Sequence, residues 1–149
     1  MNSDRRDSLL PVPAEGVVLR WASELYDQSV DRKDAAGFAA AFIENGSLQF
    51  ANNPAIHGRA AIQAAISEFF QSFVALRHEA RGAFFTKDTL ILEAVVTYTR
   101  HDGQQVTISA VTIFHLAGAQ SNDPQRPLAD DCRIYVDLTP LYEISPSGP

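Results

Sequence analysis

The sequence predicts an α+β domain in which helices cover one face of a curved, mostly antiparallel sheet. Two observations predict this fold class. In the first half of the chain, apolar residues recur at helical spacings of three and four, whereas from Leu76 onward they alternate with a period of two. An Asp-Gly pair at Asp102-Gly103 then predicts a hairpin turn between two alternating segments.

The chain length and composition predict one globular domain. The 149 residues match the size of a single domain, and 46% hydrophobic with 20% charged residues is typical of a folded chain. We expect a disordered leader over residues 1–13, the domain over residues 14–142 and a flexible tail over residues 143–149. The leader has only Leu9-Leu10 as an apolar pair, which is too short for a signal peptide.

Charge and cysteine content exclude several classes of protein. A net charge of -6 provides no electrostatic footprint for nucleic acid or for an anionic membrane surface. Cys132 is the single cysteine, so the chain forms no internal disulfide. No apolar stretch approaches roughly 18 residues, the length needed to span a membrane as a helix. We therefore expect a cytoplasmic protein.

Three helices are predicted before the sheet. The first covers about residues 14–30, with one apolar face formed by Val18, Trp21, Ala22, Leu25 and Ser29. Asp34 is a predicted N-cap of a short second helix that carries Phe38 and Phe42 and ends at Asn45-Gly46. The third covers about residues 59–73, and its apolar stripe comprises Ile62, Ile66, Phe69, Phe70 and Phe73.

Five strands are predicted, most of them after the helices. A short strand over 47–50 is followed by the loop signal Asn52-Asn53-Pro54. Long strands cover residues 76–85, 89–100, 104–116 and 131–138, and the polar segment 121–127 is a loop. Because three helices cover only one face of such a sheet, a cavity is expected between the helical layer and the sheet.

The sequence shows no motif for binding a cofactor. The four histidines and Cys132 lack the close spacing of metal ligands. The chain also lacks a phosphate-binding P-loop and a dinucleotide-binding glycine motif. We therefore expect no metal and no cofactor. The many phenylalanines, together with Trp21, favour a small apolar ligand over a sugar or a phosphate.

The order of elements and three short motifs resemble a known family. The motifs are Asp31-Arg32-Lys33-Asp34, Ile56-His57-Gly58-Arg59 and Tyr135-Val136-Asp137-Leu138. From about residue 14 to residue 142, the chain resembles the SnoaL-like group of the cone-shaped NTF2-like superfamily. This resemblance implies a pocket that opens at one end of the cone, although the fold hosts many chemistries.

The resemblance also implies a catalytic pair. Asp31 and His78 match the aspartate and the histidine of scytalone dehydratase and hexachlorocyclohexane dehydrochlorinase, and Tyr26 matches a tyrosine of steroid isomerases. An aspartate beside a neutral histidine orients the ring and stabilises the imidazolium, so that the histidine acts as a base. Alternatively, Asp31 ends a helix and His78 is an ordinary strand residue, and Tyr26 is a core tyrosine at the cavity rim.

Other positions depart from the catalytic residues of better-known members. Phe50 and Thr112 replace the two isomerase carboxylates, and uncharged residues replace the charged set of limonene epoxide hydrolase. The resemblance nevertheless implies that these positions face the pocket. The expected substrate-binding residues are Trp21, Val30, Phe50, Val95, Thr97, Thr99, Thr112 and Ile134. Glu93 shares a strand face with Val95, and it is either a buried carboxylate in the cone or a solvated one.

These features lead to a functional hypothesis and two alternatives. The first is a cofactor-free lyase or isomerase of the dehydratase or cyclase type, acting on a small apolar, aromatic or polyketide-like molecule through Asp31 and His78. The second is a non-catalytic ligand-binding or accessory domain. The third is the small subunit of a ring-hydroxylating oxygenase.

A homodimer through the outer sheet face is also expected. The outward residues of two strands include apolar ones that the helices leave uncovered, and uncovered apolar faces tend to pair. These residues are Thr107, Ser109, Val111, Ile113, His115 and Tyr135.

Overall fold

The computed structural model describes residues 12–117 and 127–143. Most of the predicted loop 121–127, the leader up to residue 11 and the tail after residue 143 therefore lie outside the described residues. A short 3-10 turn at Val30–Arg32 follows the first helix. The helices are α1 (Gly16–Gln28), α2 (Ala35–Ala39), α3 (Arg59–Phe70) and α4 (Thr139–Tyr142).

Seven strands in the described residues form one curved sheet with the order β1-β4-β5-β6-β7-β2-β3. Neighbouring strands are antiparallel except β2 and β7, which are parallel, so the predicted mostly antiparallel α+β class is confirmed. The strands are β1 (Val12–Pro13), β2 (Phe42–Phe50), β3 (Ile56–His57), β4 (Ala75–Thr86), β5 (Thr89–Thr99), β6 (Gln105–Leu116) and β7 (Ala129–Val136).

The end of the predicted leader is ordered. Val12 and Pro13 pair with Phe85 and Phe84 at the edge of β4, so the expectation of disorder is wrong for these two residues. The reason is the length of β4, whose outer edge presents unpaired backbone groups that a short strand satisfies. In the part of the chain that the structure describes, no helix has the length and apolar character needed to cross a membrane.

The predicted second helix is shorter than expected. Asp34 is its N-cap, as predicted, and its carboxylate accepts a hydrogen bond from the Gly37 N–H at 3.0 Å. Phe42, however, is the first residue of β2 and not a helical residue. Asn45-Gly46 lies within that strand, where the pairing with β7 shifts register between Phe42 and Ser47. Glycine is common both in irregular strands of this kind and at the ends of helices, so Asn45-Gly46 did not distinguish the two.

The core lies between the helices and the inner face of the sheet. Phe42, Phe73 and Phe114 are fully buried, and Ile62 of α3 packs among them. Ile62, Ile66 and Phe70 form the buried face of α3, as its apolar stripe predicts, although the helix ends at Phe70 and Phe73 lies in the turn beyond it. The same layer of helices leaves open the cavities described below.

The predicted face of β5 is wrong. Val96 and Tyr98 are buried on the inner face, so Val95, Thr97 and Thr99 point to the outer face and do not line the cone. A shift of one residue exchanges the two faces of a strand, because side chains alternate with a period of two. On β6 the predicted faces are correct, with Ile108, Thr112 and Phe114 buried and Val111 and His115 outward.

Candidate active site

Asp31 and His78 are in direct contact. The Asp31 Oδ1 atom lies 2.6 Å from His78 Nδ1, and Asp31 Oδ2 accepts a hydrogen bond from the His78 backbone N–H at 3.0 Å. Each side chain is 18% exposed, so the pair is shielded from bulk water without being sealed in the core. The contact predicted from the sequence is therefore present, although 47 positions separate the two residues.

Local structure explains how Asp31 reaches His78. Asp31 lies in the 3-10 turn that reverses the chain between α1 and α2. In β4, His78 pairs with Val96 of β5, and its N–H points to the opposite edge of the strand. Among the described residues, β1 covers that edge only at Phe84 and Phe85, so the turn is free to dock beside His78. The Asp31 carboxylate there accepts the hydrogen bond from the His78 N–H that a neighbouring strand would otherwise accept.

This contact sets the chemistry of the histidine ring. An ionised carboxylate only accepts hydrogen bonds, so in the neutral ring Nδ1 carries the proton and donates a hydrogen bond to Asp31. Nε2 is then the unprotonated nitrogen, and no hydrogen-bond partner for it is found within residues 12–117 and 127–143. The result is a base whose tautomer is fixed and whose lone pair is available to a ligand.

Tyr26 of α1 stands against the same histidine. The two ring centroids are 4.6 Å apart with the planes tilted by 55°. Removal from water raises the pKa of the Tyr26 phenol well above its ordinary value, the Cys132 thiol and Asp31 carboxylate add to this effect, and a hydrogen bond with Thr112 opposes it. The phenol therefore stays protonated and is able to donate to an oxyanion.

Two cavities meet at these residues. An inner cavity of about 50 Å³ lies between α3 and the sheet, with Phe50, Phe69 and Tyr98 among its aromatic walls. An outer cavity of about 220 Å³ opens between α1 and strands β4, β5 and β6. Tyr26, His78 and Thr112 line both cavities, so the candidate base lies at their junction. Mostly apolar walls with a few converging polar groups are typical of small-molecule sites.

The family assignment follows from a match that covers most of this architecture. The family model for the SnoaL-like domain matches residues 22–120, which span Tyr26, Asp31, His78 and Thr112. The chain belongs to the SnoaL-like domain family. No curated protein sequence shows a significant match to it.

Solved structures show the same fold. ActVI-ORFA from Streptomyces coelicolor is 24% identical, with a TM-score of 0.67 over 80% of this chain and 94% of that chain. An NTF2-like protein from Burkholderia pseudomallei is 14% identical, with a TM-score of 0.72 over 87% and 100% of the two chains. The epoxide hydrolase/cyclase-like enzyme SalBIII is 18% identical, with a TM-score of 0.64 over 80% and 90%. The predicted NTF2-like fold is confirmed.

Four of the residues expected to bind substrate line the inner cavity of this SnoaL-like domain. They are Val30, Phe50, Thr112 and Ile134. Their positions agree with the resemblance to the family, and their contact with a substrate stays a prediction.

Trp21 lies elsewhere than expected, whereas Glu93 is in one of its two expected environments. The Trp21 ring packs edge-on against Phe114, with the ring centroids 5.1 Å apart. Trp21 lines a groove beside α2 instead of the two cavities. It belongs to the side of α1 that faces away from Tyr26. Glu93 is the solvated carboxylate of the two alternatives, because it lies on the outer face of β5 with Val95, at the rim of the outer cavity.

The outer cavity depends on small residues that the sequence analysis did not select. Ala80, Ala94 and Ala110 pair in one row across β4, β5 and β6, and all three line this cavity. Larger side chains in this row would fill the space between α1 and the sheet. This row of alanines can be recognised only once the pairing of β4, β5 and β6 is known, because the three residues are far apart in sequence.

A pH titration of the tyrosines provides a test of this environment. Burial raises the pKa of both Tyr26 and Tyr98 above the ordinary 10.0, so the folded state favours their protonated forms. This stabilisation is complete below pH 10.0 and is lost as the pH rises further. Two of the four tyrosines should therefore resist ionisation until the chain unfolds, as followed by tyrosinate absorbance.

The matched variant is Tyr26→Phe, which should halve the absorbance step that accompanies alkaline unfolding. If all four tyrosines of the wild-type protein ionised before unfolding, Tyr26 would not be in the dry environment described above.

Proposed function

We propose that this SnoaL-like domain is a cofactor-free lyase or isomerase of the dehydratase or cyclase type. The 2.6 Å contact between Asp31 Oδ1 and His78 Nδ1, at the junction of two cavities, is the observation that carries the proposal. The SnoaL-like domain supports a dehydratase or cyclase type of function at the level of the family. Among the similar structures, SalBIII is described as having a role in pyran ring formation.

The proposed mechanism uses the three polar groups in order. Nε2 of His78 removes a proton from carbon next to a carbonyl, and the electron pair of that C–H bond forms an enolate. Asp31 stabilises the imidazolium ion, and Tyr26 donates a hydrogen bond to the enolate oxygen. In a dehydration, the enolate reforms its carbonyl and expels a β-hydroxyl group, which leaves as water with the proton held by His78. In an isomerisation, the same proton returns at another carbon.

The substrate proposed for this site is a small, mostly apolar carbonyl compound. The outer cavity of about 220 Å³ is below the size of typical drug-binding pockets, so a molecule of one or two rings is the largest that fits without movement. Ala80, Ala94 and Ala110 would contact its apolar body, and Tyr26 and His78 its reactive carbon and oxygen. Aromatic and polyketide-like ketones meet these requirements.

Binding without catalysis is the alternative. The outer cavity is lined mostly by apolar side chains, which hold a hydrophobic ligand without needing a base. The two functions predict different outcomes with the same probes, namely cyclic β-hydroxy ketones whose dehydration produces a conjugated enone with a new ultraviolet absorbance.

The test compares wild-type protein with His78→Gln, which keeps a polar side chain and removes the base. Enone formation by the wild-type protein, lost in His78→Gln, is the expected result. Probes that bind both proteins equally, with no enone or exchange of the α-proton in any of them, would favour the binding function instead.

We also propose that two copies of the chain pair through the outer sheet face. Val95, Val111 and Tyr135 form an apolar surface there, and Tyr135 is 52% exposed. We expect light scattering at micromolar concentration to show twice the chain mass of 16.3 kDa. Val111→Glu should produce a monomer because it buries a charge in the interface, whereas Gln104→Glu, in the turn before β6, should not. A wild-type monomer would contradict the proposal.

A further inference from the structure

The turn that carries Asp31 is attached at a second place, to the segment that leads into β4. Lys33 Nζ donates hydrogen bonds to the backbone carbonyls of Phe73 at 2.9 Å and Val74 at 3.1 Å. The ammonium group also lies 5.6 Å from the centroid of the Phe73 ring, which is itself fully buried. The carbonyls are those of the segment that leads from α3 into β4, a few residues before His78.

That segment is itself firmly held. The Val74 N–H donates to the Thr99 carbonyl at 2.8 Å, which joins the segment to β5, and the Phe73 side chain packs against Tyr98 with centroids 5.0 Å apart. Lys33 is therefore bound to a segment that is itself held to β5, rather than to a free loop. The turn is joined to its surroundings at two positions, by Lys33 to the segment before β4 and by Asp31 to His78 of β4.

The backbone of Lys33 ends the 3-10 turn. Lys33 has φ 57° and ψ 38°, the left-handed conformation, in which its N–H donates to the Val30 carbonyl and ends the 3-10 turn. Glycine or asparagine adopts this conformation more readily than a residue with a long side chain. The side chain leaves the turn from this position, and its ammonium group reaches the Phe73 and Val74 carbonyls.

We propose that Lys33 is a positioning residue for the Asp31–His78 pair. Its ammonium group holds the 3-10 turn against the start of β4 and thereby fixes the distance between the Asp31 carboxylate and the His78 ring. Two attachments restrict movement of the turn as a whole, so the carboxylate that it carries keeps its place beside the ring. The inference rests on the proposed function, since the pair matters only if His78 is the base.

The test measures the pair directly by NMR of the imidazole group. In wild-type protein, the Nδ1–H proton of His78 should be observable and slow to exchange, because it is held by Asp31. Lys33→Met keeps the length and apolar part of the side chain but removes the donors, and it should broaden or abolish this signal while the melting temperature changes little. Lys33→Arg, which retains donors, should restore it.

Lys87→Met is the matched control. Lys87 has the same left-handed conformation, with φ 52°, and loses the same charge on substitution, but it lies at the far end of β4 in the turn to β5. It should leave the His78 signal unchanged. With a substrate in hand, Lys33→Met should lower kcat about tenfold or more with little change in KM, since misplaced groups reduce the rate of the chemical step.

The outcomes separate the two proposals. An unchanged Nδ1–H signal in Lys33→Met would overturn the inference and leave the proposed function intact. A wild-type protein without a protected Nδ1–H would instead count against the pair itself and so against the proposed function. If Lys33→Met does not fold, Lys33→Gln, whose amide is too short for both carbonyls, replaces it under the same criterion.

Discussion

Replacing His78 with alanine is expected to lower kcat by about 10²–10⁴-fold, the usual contribution of a general base. Asp31→Asn should cause a loss in the same range. The asparagine amide still accepts the His78 backbone N–H bond, but it carries no charge to stabilise the imidazolium ion. The steady-state rate of enone formation from the β-hydroxy ketone probe measures both effects.

The double variant distinguishes a pair from two independent residues. If Asp31 acts only through His78, the double variant should be little less active than the less active of the two single variants. The effects of residues that act as a unit do not add. Independent losses that multiply would show that Asp31 has another role. Tyr26→Phe should reduce the rate less than either change, because it leaves the base and its carboxylate partner in place.

A second histidine–aspartate pair provides the matched control. His115 Nδ1 and Asp130 Oδ1 are also 2.6 Å apart, but this pair lies on the outer sheet face, and the His115 side chain is 47% exposed. His115→Ala should leave kcat unchanged, because its ring lies outside both of the cavities that meet at His78. An equal loss from His115→Ala and His78→Ala would contradict the assignment of the base.

Phe70→Ala is expected to lower the free energy of unfolding by about 3–5 kcal/mol. Phe70 lies on the buried face of α3, is only 5% exposed, and its ring is 6.2 Å from Phe69 and 6.3 Å from Phe73. Truncation removes its burial and enlarges the inner cavity that it lines. Urea unfolding followed by circular dichroism measures the change.

Phe84→Ala is the control for this prediction, since Phe84 is 38% exposed on β4. We expect it to cost less than Phe70→Ala, because a partly exposed ring loses less burial and leaves no closed cavity. A loss below about 1 kcal/mol for Phe70→Ala would show that α3 does not pack against the sheet as described.

The pairing of Asp31 with His78 was predicted from the resemblance to family members, whereas periodicity provided no indication of it. Nothing in the local sequence joins a residue after the first helix to one in β4. The structure brings them together because the 3-10 turn docks on the open edge of β4, where the His78 N–H points. A tertiary contact of this kind has no signature in a single chain, so only a known relative could suggest it.

The face of β5 shows why the cavity walls were harder to predict. Val95 and Val96 are adjacent and identical in hydrophobicity, and the outer sheet face is itself apolar at Val111. Hydrophobicity therefore does not distinguish the inner face from the outer one. In the first half of β6 it does, because the outward positions Thr107 and Ser109 alternate with the inward Ile108, and the predicted faces of β6 were correct.

The sequence by itself determined the α+β class, the Asp34 cap, the apolar stripe of α3 and the hairpin at Asp102-Gly103. Each of these depends on residues within a few positions of one another, so that local geometry decides it. The register of β5, the row of Ala80, Ala94 and Ala110, and the attachment of Lys33 to β4 were decided only by the tertiary structure. They depend on which strands become neighbours, a property of the whole folded chain.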